Sequence, residues 1–92
     1  MALIQCEVTE GPRVGFKAIG IESIEGHNEY LAIEEKFLVR EGDGYLLSVS
    51  LVGRDRRNRT VLVQLPVEAD SGANRVWVSE QALSPTPDEV PV

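Results

Sequence analysis

Apolar residues recur at every second position along most of this chain, with Gly, Asn or charged residues filling the gaps. Tyr45, Leu47, Val49 and Leu51 fall on one face of an extended segment, and Val61, Val63, Leu65 and Val67 repeat the pattern. Side chains of a strand point alternately to its two faces, so a period of two marks strands with one face buried. The expected class is therefore all-β: a small antiparallel barrel or curled sheet of five to six strands, with one or two single-turn helices. Ninety-two residues suffice for one domain with a modest core. The expected boundaries are a barrel over 1–83 and a Pro-containing acidic tail over 84–92, read as disordered because Pro85, Pro87 and Pro91 deny regular pairing.

The strands are expected over 2–8, 13–24, 30–33, 45–52, 60–67 and 75–78. Ile4, Cys6, Val14, Phe16, Leu47, Val49, Leu51, Val61, Val63 and Leu65 form the expected core. In the second strand the apolar positions change from Val14, Phe16 and Ala18 to Ile19 and Ile21, so a bulge or bend is expected at Gly20. Asp43 and Gly44 signal a hairpin. The loops 25–29 and 55–59 each place Asn at the fourth position, where a left-handed residue is expected and Asn is tolerated. Single helical turns are expected at Glu34 to Val39 and at Ser79 to Leu83.

Ile33-x-Glu35-x-x-Leu38 echoes Val78-x-Glu80-x-x-Leu83, and each follows a strand. The chain reads either as two similar halves, each three strands and a helical turn, or as a chance match of two positions and one spacing; chance is the simpler reading. Short strands, charged hairpins and these two strand–turn pairs resemble an SH3-like or related small barrel. That resemblance implies a fold and transfers no family function.

Charge and composition exclude more than they indicate. The formal net charge is −6, which disfavours nonspecific binding to nucleic acid or to an anionic membrane. Cys6 is the single cysteine, so no internal disulfide forms, and it reads as a small buried residue. No basic run leads into an apolar stretch at the N-terminus, and no segment approaches a membrane span, so a cytoplasmic location is expected.

No catalytic constellation stands out, and neither a metal nor a cofactor is expected. His27 sits at a hairpin tip, poorly placed to be held by a second group close to a nucleophile, and reads as a solvated turn residue. Ser71 lies outside a G-x-S-x-G elbow, and the glycines form no phosphate-binding pattern.

Two surfaces are candidate binding sites. Arg54, Arg56, Arg57 and Arg59 crowd one hairpin tip, four of the nine basic residues. Such a tip is a solvated turn, a phosphate contact or an anchor for an acidic protein. Asp70, Asn74, Arg75 and Trp77 belong to the longest loop within the domain and the strand after it. Trp77 points outward if Val76 and Val78 point in; in the opposite register it is the largest core side chain. The expected function is a non-catalytic protein-interaction or assembly module with a protein partner. The alternative is a small barrel that binds nucleic acid through the arginine tip.

Overall fold

The computed structural model describes residues 2–24 and 26–84. Seven antiparallel strands form one curled sheet, a half-barrel, and two 3-10 turns are the helical elements among these residues. In chain order they are β1 (Ala2–Glu10), β2 (Phe16–Glu22), β3 (Asn28–Glu34), a 3-10 turn (Glu35–Phe37), β4 (Leu38–Glu41), β5 (Gly44–Asp55), β6 (Thr60–Gln64), β7 (Arg75–Ser79) and a second 3-10 turn (Glu80–Ala82). The all-β class stands, with one strand more than expected. The addition is β4, which the sequence merges with the preceding turn. Glu41 pairs with Gly44 across a tight hairpin, and Gly42 takes the left-handed conformation there, with φ of 59°. The chain then zips back to a Leu38–Leu47 pair. Of the 84–92 tail, all but Ser84 lies outside the described residues.

The sheet runs β3-β2-β1-β5-β6-β7. It divides into two three-strand meanders, joined through the β1–β5 pair, and the division repeats in detail. Ile4 lies directly opposite Leu47. After each 3-10 turn a leucine pairs with the first strand of the other half: Leu38 with Leu47, and Leu83 with Ile4. The first residue of each 3-10 turn donates its N–H to the residue just before the second strand of its own half. These bonds are Glu35 to Gly15 and Glu80 to Arg59, both 3.0 Å. Both acceptors have positive φ, 85° and 56°. The echo between 33–38 and 78–83 is thus a two-fold repeat of connectivity rather than chance.

Each half also fastens the outermost strand of the other. Ile24, in the β2–β3 loop, donates its N–H to the Trp77 carbonyl at 3.1 Å, and Asp70, in the β6–β7 loop, donates to Tyr30 at 2.7 Å. These bonds cover carbonyls that an outer strand otherwise leaves open.

Ile4, Ile19, Ile21, Leu31, Ile33, Leu47, Val49, Val61, Val63, Leu65, Ala69, Val76 and Val78 form the core. Six of the ten expected core residues are in it. Cys6 and Phe16 are only partly buried. Val14 is fully exposed, because the chain is still turning there. Phe16 bonds back to the Arg13 carbonyl, and Gly15 is left-handed, so β2 begins at Phe16 rather than at Arg13. No switch occurs at Gly20, because β2 pairs with β3 without interruption from Phe16–Glu34 to Glu22–Asn28. Ile19 and Ile21 are the inward pair throughout, and Lys17 shares their face at the rim, bridged to Glu10 and Glu35 at 3.5 Å each. Gly20 has a different task. A Cβ there would meet the Tyr30 ring at 3.2 Å, so glycine lets the ring lie across β2.

Among the described residues, the one pairing irregularity falls in β5, between Leu51 and Gly53. Leu51 still pairs with Val63, but this bulge turns the strand outward and leaves Leu51 51% exposed. The left-handed residues of the two loops are Gly26 and Arg59, not Asn28 and Asn58. Truncation separates the two leucines. Leu65→Ala should cost about 2–5 kcal/mol, and Leu51→Ala under about 1 kcal/mol, since half of that side chain already meets water. Denaturant melts of both variants measure the difference.

Candidate interaction surface

The arginine tip is built around two carboxylates. Asp55 and Thr60 close the β5–β6 hairpin, and Arg56 to Arg59 form its loop. The Asp55 carboxylate accepts Asn58 Nδ2 at 2.7 Å and the backbone N–H groups of Asn58 and Arg57 at 3.2 and 3.1 Å. The Asn58 bonds foremost hold its pKa below the ordinary 3.8. Glu80, on the second 3-10 turn, is buried. Arg54 contacts its Oε1 through Nε and Nη2, both at 2.9 Å, and Arg59 Nε lies 3.6 Å from Oε2. Two of the four tip arginines therefore neutralise a buried carboxylate that an unpaired environment would make costly. Arg56 and Arg57 stay exposed and form no ion pair among the described residues. The four do not act as one cationic cluster.

The loop of 65–74 is tied down rather than free. Leu65 bonds to the Asn74 carbonyl, Ala69 to that of Ala73, and Gly72 to that of Ala69, while the Ala69 side chain is buried. Asp70 stands exposed beside Tyr30, Asn74 is exposed, and Arg75 Nε reaches Gln64 Oε1 at 3.4 Å. Trp77 settles the open register. Val76 and Val78 are buried, so Trp77 lies on the outer face, opposite Leu62 and only partly covered. Asp70 and Trp77 consequently serve different halves of the molecule, although they are close in sequence.

A polar cluster went unnoticed in the sequence. Glu29 is buried, Ser71 Oγ donates to its Oε1 at 2.6 Å, and His27 Nε2 lies 3.5 Å from its Oε2. The signal was present, because Glu29 shares its parity along β3 with Leu31 and Ile33 and so points inward. The carboxylate stands between the imidazole and the hydroxyl, with one oxygen turned to each. The cluster is suited to joining the two halves. Cys6 Sγ donates to the Tyr45 carbonyl at 3.7 Å, and partial burial pushes its pKa from 9.0 to about 11, which leaves little thiolate at neutral pH. Among the described residues no group of His, Cys, Asp and Glu is arranged to hold a metal ion, and no helix is long and apolar enough to cross a membrane.

The outer faces of the two halves differ in relief. On β1-β2-β3, Thr9, Ala18 and Ala32 form one cross-strand row, and Glu7, Gly20 and Tyr30 the next. Their small side chains leave an apolar groove of about 420 Å³ with Glu7, Glu10 and Asp70 among its lining. The matching rows on β5-β6-β7 are Gly53, Leu62 and Trp77, then Ser50, Gln64 and Arg75. Leu62 and Trp77 thus make a ridge where the first half has two alanines, and Val52, the unpaired bulge residue next to Gly53 in β5, is 41% exposed. A second hollow, of about 910 Å³, opens between Phe37, Val39 and Pro66. The chain matches no known family model, no curated protein and no solved structure.

The unequal standing of the arginines has a measurable consequence. Arg54→Ala strips the closer partner from a buried carboxylate and should cost roughly 1–3 kcal/mol. Replacing Arg56 and Arg57 together by Ser should change stability by no more than about 0.5 kcal/mol. Urea unfolding of the two variants at neutral pH checks the contrast.

Proposed function

We propose that this protein is a non-catalytic interaction or assembly module of the cytoplasm that binds a protein partner through the outer face of β5-β6-β7. The observation that carries this reading is the position of Trp77. The largest side chain of the chain stands outside the core, half-buried in one row with Leu62, with Arg75 in the neighbouring row. Trp and Arg are the residues that most often anchor protein interfaces, and apolar side chains gathered on an outer face mark such surfaces.

A photo-crosslinking residue placed at position 77 should give a discrete adduct in the native cell, and one placed at Asp43, in the exposed β4–β5 turn, should give none. Failure to obtain a discrete adduct from positions 52, 62 and 77 alike would remove the proposal.

A second reading rests on Arg56 and Arg57, which stay exposed at the tip: contact with nucleic acid. Two cations that form no ion pair among the described residues, without an aromatic neighbour in their loop, make a small footprint, since single strands are usually held by charge and stacking together. Titration of RNA and single-stranded DNA at about 150 mM salt should detect no binding. Binding that disappears when Arg56 and Arg57 become Ser would establish this second reading instead.

A further inference from the structure

The geometry points to a second copy of this chain as an occupant of the β5-β6-β7 face: the Leu62–Trp77 ridge of one molecule seats head-to-tail in the β1-β2-β3 groove of the next. The inference deepens the interaction reading above and rests on it. Three observations select this occupant.

The first is relief. Ridge and groove are matching rows of the two repeated halves. They differ in side-chain size, with Leu62 and Trp77 on one and Ala18 and Ala32 on the other. A pair of large side chains on one sheet face meets a hollow on another sheet face of the same build.

The second is charge. Glu7 and Asp70 line the groove in the row of Tyr30, and Arg75 occupies the corresponding row beside the ridge. At the other end Glu10 lines the groove, and the tip with exposed Arg56 and Arg57 lies beyond the ridge. Laid into the groove, the ridge brings cations to carboxylates at both ends. The imbalance extends to the whole halves. Residues 1–43 hold nine carboxylates against four Lys and Arg, and residues 44–84 hold five Arg against four carboxylates. Complementary potentials of this kind steer association and set its register.

The third is the exposed aromatic wall. Tyr30 is 55% exposed and its ring lies against Gly20 in the groove, where it can take the edge of an incoming Trp or the guanidinium of Arg75. The ridge and this groove lie on different halves of the molecule. The contact is therefore heterologous, and it propagates into chains or closes into a ring.

Sedimentation of the purified full chain tests this. The wild type should rise above its 10.1 kDa monomer mass as concentration climbs through the micromolar range. Trp77→Ala, which levels the ridge, should remain monomeric. So should Ala32→Trp, which fills the groove with the side chain that the matching row of the other half already carries. Asp70→Arg, on an exposed loop position, gives a second groove variant should Ala32→Trp fail to fold by circular dichroism. Mixing a ridge variant with a groove variant is the decisive arm. One intact ridge and one intact groove remain, so the mixture should yield a capped 1:1 dimer and nothing larger. A wild type that stays monomeric overturns the inference, as does a mixture that fails to pair. A monomeric wild type whose position 77 still crosslinks to another protein loses the second copy and keeps the interaction reading; loss of both results removes both.

Discussion

The pairing of β1 with β5 is the contact on which the rest of the molecule hangs. It sets Ile4 against Leu47 at the centre of the sheet, and both side chains are fully buried. Each strand then serves its own half with its remaining length. β1 gives Glu7 to Glu10 to β2, and β5 gives Ser50 to Asp55 to β6. The same two residues receive the closing leucines, Leu83 on Ile4 and Leu38 on Leu47. A single hydrophobic seam therefore organises both halves. Neither three-strand meander has an obvious means of covering its inner face alone, since three short strands bury little apolar area.

Around that seam, two buried carboxylates do opposite jobs. Glu80 is satisfied from its own half, by Arg54 and Arg59 of the adjacent hairpin. Glu29 is satisfied partly from the other half, by Ser71. The first stiffens one hairpin against the 3-10 turn that follows it. The second, with the Asp70–Tyr30 backbone bond, holds the two halves together at the margin of the sheet. Buried carboxylates cost stability unless their oxygens are occupied, so both contacts demand a particular geometry and discriminate against slipped registers.

Six of the seven strands and the two 3-10 turns were legible because they follow from local alternation and turn chemistry, whereas β4 was hidden behind the helical turn that its first residues resemble. Leu47 and Val49 of β5 and Val61 and Val63 of β6 followed in the same way. What escaped was set by partners distant in sequence. Val14 fits the alternation, but the left-handed Gly15 keeps it in the turn. The bulge at Val52 shows only in the mismatch between the Asp55–Thr60 and Leu51–Val63 pairs. Local periodicity reports a face but not which neighbour adds or loses a residue. The candidate surface was half legible. The crowding of four arginines was plain, yet the withdrawal of Arg54 and Arg59 onto Glu80 depends on a residue more than twenty positions away. Trp77 was placed on its strand, but the sequence did not choose its face.

The bridge between Leu83 and Ile4 links nearly the first described residue to nearly the last. Its sequence separation delays the completion of the fold during synthesis. While the chain emerges from the ribosome, the first meander can form its local hairpins, but Ile4 must wait for Leu47 and then for Leu83. Contacts of such long range carry a loop-closure cost before they return any stabilisation, and they slow folding. Until the last strand leaves the exit tunnel, the apolar inner face of the nascent chain stays open to solvent and to chaperones. A ribosome stalled before Leu83 would therefore hold both meanders without the bridge that joins the second 3-10 turn to β1.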